Sequence, residues 1–254
     1  MLPVYVLSLR RNQARRREIK NHLEELGISF EWIDGVDGRK LSAPEKSDFL
    51  SDDRQYFANG PMSDGALGCL LSHRLAWQRI VSNSESAALI LEDDAVLQPE
   101  TKDALSRIAR LAGKFDMIHL HHTTKRPLSG RFEISKTQSL SLHKYNPIQN
   151  VAYVISRNAC EKLLELSLPA VFEVDLLCQR WWEHGLATLT VDPPLATEIG
   201  GTSTIGYPST PPVWQNDTIR HKLGRYFNRR KASVTKRYLF HRMSTDVMAR
   251  LASD

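Results

Sequence analysis

Val4-Tyr-Val-Leu-Ser-Leu9 is rich in β-formers and apolar on both faces. Such a run reads as a strand buried inside a parallel or mixed sheet. A helix is predicted from about Asn12 to Leu26, with Ile19, Leu23 and Leu26 on one stripe and Gly27 as its stop. Ile28 to Ile33 reads as a second strand, closing in the turn cluster Asp34-Gly-Val-Asp-Gly38. A β-α-β opening of this kind predicts an α/β fold.

Residues 39–64 are polar and carry Pro44, Gly60 and Pro61, the pattern of a long loop or lid with a short helix. Leu67, Leu70, Leu71, Leu75 and Ile80 recur at helical spacing over roughly 66–82. Ala87 to Leu91 is an apolar strand that runs directly into Glu92-Asp93-Asp94. Downstream, helices are expected from Pro99 to about Ala112, from Asn158 to Leu166 and from Val174 to His184. Strands are expected at Phe115–His121, Val151–Ile155 and Leu186–Val191, with irregular β structure over 126–146 and a loop over 193–217.

The chain has 254 residues, 41% hydrophobic and 25% charged, so it can bury a real core and is not a disordered or fibrous sequence. No apolar run approaches the roughly 18 residues of a membrane span. The N-terminal charges follow the apolar stretch, the reverse of a secretory signal. Three scattered cysteines (Cys69, Cys160, Cys178) without a CxxC pair argue against a disulfide framework and for a reducing, cytoplasmic setting. Charge is unevenly placed. Residues 220–250 hold ten Lys and Arg against one acid, Asp246, leaving the rest of the chain at −4 out of a total of +5. A basic tail of this kind suits an anionic partner. The expected domains are a body over 1–217 and a basic amphipathic segment over 218–254.

Glu92-Asp93-Asp94 is the sharpest chemical feature. Ligands of open α/β sheets bind outside the carboxyl ends of the strands. Adjacent carboxylates repel unless a cation or hydrogen-bond donors compensate them. Hard oxygen ligands suit Mg²⁺ or Mn²⁺ shared with a phosphate. The alternative is an acidic turn capping the next helix.

Several segments together resemble glycosyltransferase family 25, the lipooligosaccharide glycosyltransferases, which also includes collagen galactosyltransferases. They are Val4–Leu9 with Arg15-Arg16, Phe30–Gly38, Gly65-Ala-Leu-Gly-Cys-Leu-Leu-Ser-His73 with Trp77, Leu89–Asp94, Ala152–Ser156 and Val174-Asp-Leu-Leu177. The resemblance covers about residues 1–205 and leaves out the tail. It implies a GT-A-like nucleotide-sugar-binding fold, a mixed central sheet flanked by helices, here followed by the basic helical segment. It also implies an inverting transfer of a hexose, galactose before glucose, from a UDP-sugar to a saccharide acceptor such as a lipopolysaccharide or lipooligosaccharide core. Mn²⁺ (or Mg²⁺) would be bound by Asp94, with Asp93 in support. The nucleotide site would draw on Leu7, Ser8, Leu9, Arg15, Asp37, Gly38, His73, Glu92 and Asp93.

An inverting transfer needs a base for the acceptor hydroxyl, a contribution of roughly 10²–10⁴ in rate. The family motif commonly has Glu where this chain carries Ala66. Asp175 is the first candidate for the base and Glu173 the second; the competing role for Asp175 is that of a helix N-terminal carboxylate. His119 and His121 share a strand face, but no third zinc ligand has motif spacing. Trp181-Trp182 offers an aromatic platform or simple core packing. In the tail, Ile219, Leu223, Tyr226 and Phe227, then Tyr238, Leu239, Met243 and Val247, recur at helical spacing among basic residues. That is the pattern of a helix lying on an anionic membrane surface, where a lipid-linked glycan acceptor would sit. The competing classes are a GT-A fold that binds a nucleotide sugar or glycan without turnover, and a nucleic-acid-binding protein. The latter is disfavoured because no zinc-finger or RNP-type motif accompanies the charge.

Overall fold

The computed structural model describes residues 2–122, 129–142, 149–199 and 213–253. β1 (Val4–Ser8), α1 (Gln13–Glu25) and β2 (Glu31–Asp34) form the predicted opening, with β2 beginning three residues later than Ile28. The polar stretch after it contains α2 (Ala43–Phe49) between two 3-10 turns, Gly38–Lys40 and Asp52–Tyr56. A capping box between Ser42 and Glu45 starts α2. α3 (Asp64–Ser82), β3 (Ala87–Glu92), β4 (Ala95–Leu97), α4 (Thr101–Ala109) and β5 (Met117–His119) come next. β6 (Ser129–Glu133), β7 (Ser139–Leu142), β8 (Ala152–Ser156) and α5 (Arg157–Leu166) follow. Then come α6 (Val174–Cys178), α7 (Trp181–His184), β9 (Thr188–Asp192), β10 (Ala196–Glu198) and α8 (Ile219–Ala252).

Eight strands form one mixed sheet in the order β2-β1-β3-β8-β5-β9-β7-β6, and β10 pairs with β4 in a separate antiparallel ribbon. β1 runs parallel to both β2 and β3, whereas β8 is antiparallel to β3 and β5. Helices cover both faces. Val4, Val6, Leu89 and Leu91 point into a core shared with α1 and α4; Tyr5, Leu7, Ala88 and Ile90 point into the opposite core, under α3 and α5. Burial of both faces is why β1 and β3 are apolar throughout.

Three expectations change. The predicted helix over 174–184 is two short helices, interrupted at Gln179 and Arg180. Trp181, the first residue after the break, is buried beside Phe240 of α8, with ring centroids 5.8 Å apart. β10 lies in the expected loop over 193–217, where it pairs with β4; three-residue strands are too short to show an alternating pattern. The tail is one 34-residue helix whose two faces differ. Arg225 donates to the Gln55 carbonyl (2.8 Å) and pairs with Asp217 (2.6 Å), and Asn228 donates to the Tyr56 carbonyl (3.0 Å). Val247 and Leu251 are buried in the first core, with Met243 against it. Ile219, Leu223, Tyr226, Phe227, Val234 and Tyr238 are exposed, Tyr238 to 83%.

Gly38 and Gly68 let the turn after β2 approach α3. A Cβ on Gly68 would lie 2.6 Å from both the Gly38 nitrogen and the Val36 oxygen. Backbone cannot yield as a flexible side chain can, so Gly68→Ala is expected to destabilise the protein by about 1–3 kcal/mol. Thermal unfolding checks this; an unchanged midpoint would show that the contact relaxes freely.

Candidate active site

The chain leaves β1 to form β2 on one side and β3 on the other. This reversal opens a crevice beyond the carboxyl ends of these strands, as at the switch points of other open α/β sheets. The register places Ser8 beside Asp34 and Leu7 beside Glu92. A cavity of about 90 Å³ occupies the crevice. Leu7, Ser8, Leu9, Asp37, Gly38, His73, Glu92 and Asp93 all line it, joined by Arg11, Asn12 and Cys69.

Arg15, in the first turn of α1, reaches Asp93 Oδ1 (3.1 Å) and Asp94 Oδ2 (3.2 Å). Asp93 also accepts from Ser8 Oγ (2.7 Å) and Asn12 Nδ2 (3.4 Å). Asp94 Oδ1 is buried with no hydrogen-bond partner among the described residues. Burial, followed by the neighbouring Glu92 charge, pushes the Asp94 carboxyl up to about 6. Burial and Glu92 likewise hold the Asp175 carboxyl at about 6, partly offset by His73. The orphaned oxygen and the raised carboxyls mark a surplus of negative charge that a divalent cation would relieve. These hard oxygen donors therefore fit Mn²⁺ or Mg²⁺.

His73 is fully buried between Tyr153 Oη (2.7 Å from Nδ1) and Glu92 Oε1 (3.2 Å from Nε2). Trp77 Nε1 donates to the same Tyr153 oxygen (3.0 Å). With one lone pair of Tyr153 taken by Trp77, its hydroxyl proton can go to His73 Nδ1, leaving Nε2–H to donate to Glu92. This chain fixes the Glu92 carboxylate in place. Cys69 Sγ, His73 and Glu92 also lie within 4.8 Å of one another as potential metal ligands. Burial and the carboxylates around it push the Cys69 thiol well up, so it stays protonated rather than becoming a soft thiolate ligand.

Glu173 is held by the buried Arg54, which also donates to the Gly60 and Val171 carbonyls (3.0 and 2.7 Å). It pins the segment read as a lid, whereas the Asp175 carboxyl is raised by burial and the Glu92 charge. Asp37 pairs with Arg11 and caps the following turn through Arg39 N. Ala66 packs in the second core, while Gly65 and Cys69 reach the cavity. His121 is engaged by the Ala196 carbonyl and Gln149, and His119 packs on Tyr153. Trp181 is buried, and Lys236 lies over the Trp182 ring at 3.5 Å. The platform role therefore gives way to core packing and a cation-capped face. Ser203-Thr204-Ile205, the end of the stretch covered by the family resemblance, falls outside the described residues.

Sequence reasoning had not singled out Arg11, Asn12, Cys69 or Tyr153. Cys69 was visible as the residue four before His73 on one helix face. Tyr153 lay within the quoted segment Ala152–Ser156, but only sheet pairing, which brings β8 beside β3, shows its partner.

A mixed sheet with a carboxylate-rimmed crevice at its switch point, flanked by helices on both faces, is GT-A-like. The sequence pattern of glycosyltransferase family 25 (LPS biosynthesis protein) matches residues 1–178, and the chain belongs to that family. Over 170 residues it is 30% identical to a glycosyltransferase 25 family member of Aedes aegypti, covering 64% of this chain and 28% of the relative. It is 25% identical over 242 residues to the probable inactive glycosyltransferase 25 family member 3 of Rattus norvegicus, covering 85% and 42%. It is 21% identical over 243 residues to procollagen galactosyltransferase 2 of Homo sapiens, covering 85% and 38%. The chain thus spans well under half the length of these relatives.

Proposed function

We propose that this chain is an inverting, metal-dependent hexosyltransferase that moves galactose from UDP-galactose to a saccharide acceptor, a lipopolysaccharide or lipooligosaccharide core. The observation that carries the reading is the buried, unpartnered Asp94 Oδ1, which directly follows Glu92 and Asp93, two residues that line the switch-point cavity. Galactose is favoured because relatives are named procollagen galactosyltransferases. The acceptor class follows the family's description as an LPS biosynthesis protein.

Asp94, with Asp93, would hold the divalent ion. Such an ion supplies charge stabilisation to a departing diphosphate. Arg15 fixes both carboxylates, and the Trp77–Tyr153–His73 chain fixes Glu92 toward the nucleotide. Asp175 accepts the proton of the acceptor hydroxyl as its oxygen bonds to the anomeric carbon. The bond from that carbon to UDP breaks on the opposite face, and UDP leaves with the electron pair.

The test is a thermal-shift screen of UDP-sugars with and without Mn²⁺, paired with UDP release. A sugar at 100 times its dissociation constant should add about 2.7 kcal/mol. Stabilisation without any UDP release, even with acceptor present, would favour a second reading, a binding module. Ala66 and the relatives named inactive motivate that alternative.

The exposed face of α8 supports peripheral attachment to an anionic membrane on the cytoplasmic side. Ile219, Leu223, Tyr226 and Phe227 share one side of the helix, with exposed Arg220, Arg230 and Arg237 nearby. Among the described residues no helix is long and apolar enough to cross a membrane. Each cation near an anionic leaflet contributes about 1 kcal/mol. Removing α8 would strip Val247 and Leu251 from the core, so the clean variant is Leu223→Glu with Phe227→Glu. It is expected to lose co-sedimentation with phosphatidylglycerol vesicles while keeping its melting temperature. Equal binding by variant and parent would overturn the membrane reading.

A further inference from the structure

A second cavity, of about 270 Å³, lies between α8 and the α6–α7 segment. Arg180, Arg229 and Lys236 line it, and among its described lining residues there is no carboxylate. Arg180 is paired outside the cavity lining with Glu183 (2.6 Å from Nε), and Arg229 donates to Asn59 Oδ1 (2.7 Å). Lys236 Nζ sits 3.5 Å over the Trp182 ring, and the Arg180 guanidinium lies 5.1 Å over the same ring. Burial and the Arg180 charge lower the Lys236 pKa, partly offset by the Glu183 carboxylate outside the lining. Two further donors on the wall, Gln179 Nε2 and Trp182 Nε1, are buried without a hydrogen-bond partner among the described residues.

Holding like charges together around buried, unmade donors is costly, and an anion offsets both costs at once. The size exceeds what a bare ion needs and leaves room for part of a sugar residue beside the charge. Phe57, Leu176 and Ala232 add apolar wall, suited to the CH faces of a sugar ring. The cavity's place in the fold is informative. Asp175 and Leu176 are successive residues of the same short helix, and Leu176 lines the cavity.

We propose that this cavity binds an anionic group, phosphate or carboxylate, borne on a sugar residue of the acceptor. The occupant's being the acceptor rests on the transferase reading above; the binding chemistry does not. An acceptor anchored there would lie along the flank of the helix that holds the proposed base. The tail helix, supplying Arg229 and Lys236, would then be part of acceptor recognition as well as of the surface.

The test uses the whole chain labelled with ¹⁵N at tryptophan, with the Trp182 indole signal assigned by its absence in Trp182→Phe. Glucose 6-phosphate and glucuronate are the probes, with glucose and inorganic phosphate as controls. Either probe is expected to shift the Trp182 indole signal saturably, at least tenfold more tightly than glucose or inorganic phosphate. Lys236→Gln should weaken that binding about tenfold or more. Ser233→Glu, at an exposed position on the rim, should do the same without disturbing the core. Asp94→Asn should leave it unchanged. Absence of a shift, an equal shift with glucose, inorganic phosphate binding as tightly as the sugar anions, or insensitivity to both cavity variants would overturn the proposal. None of these readouts needs donor, metal or turnover, so a failure here is separable from a failure of the transferase reading.

Discussion

Asp94→Asn is expected to abolish Mn²⁺-dependent stabilisation by UDP-galactose, and transfer with it, while raising the stability of the metal-free protein. The substitution removes a charge at nearly constant volume, so packing survives. Asp94 is mostly buried and its carboxyl sits at about 6 in the folded protein, against an ordinary 3.8. The folded state therefore binds this proton more tightly than the unfolded chain does. Stability falls as pH rises from about 4 to 6, and above that range the full cost of the buried charge is present. Asparagine does not carry that cost. In chelator at pH 7 the variant should gain about 1–3 kcal/mol, a few degrees in midpoint, and the gain should vanish as pH falls toward 4. Thermal unfolding across pH, with EDTA and with Mn²⁺ plus UDP-galactose, checks both halves. A variant that keeps Mn²⁺-stimulated UDP release would remove Asp94 from the metal site.

Asp175→Asn is expected to lower kcat by about 10²–10⁴ while leaving UDP-galactose affinity within a few-fold. A base acts on the acceptor hydroxyl only as the new bond forms, so its loss shows in kcat rather than in donor binding. A carboxylate titrating at about 6 must be ionised to accept the proton, so the parent's rate should rise with pH through about 6 and level off above it. The variant should lose that limb of the profile. Collapse of donor affinity would instead place Asp175 in the nucleotide site. No change in either would leave it as a helix-terminal carboxylate.

Much of this was legible in the sequence because the decisive elements are local. β1, α1 and β3 announce themselves through runs and stripes that depend only on neighbouring residues, and each is buried where its pattern requires. Glu92-Asp93-Asp94 was conspicuous because three adjacent carboxylates after an apolar strand are expensive without a partner. Residues 7–9, 37–38 and 73 were reachable only as members of an ordered set of motifs. Periodicity places them on elements but does not say that those elements converge.

The sequence by itself therefore determined the α/β class, the acidic strand end and the helical character of the tail. Each of these follows from residue type and spacing over one or two turns. Tertiary structure alone decided that Arg15 sits between Asp93 and Asp94, that Glu173 belongs to Arg54, and that Tyr153 positions His73. It also decided which half of the tail's apolar stripe is covered: Val247 and Leu251 are buried, while Ile219 and Phe227 are exposed. These pairings join residues tens of positions apart. Their energies depend on burial and on which charges end up within a few ångströms, and only the folded chain sets those distances.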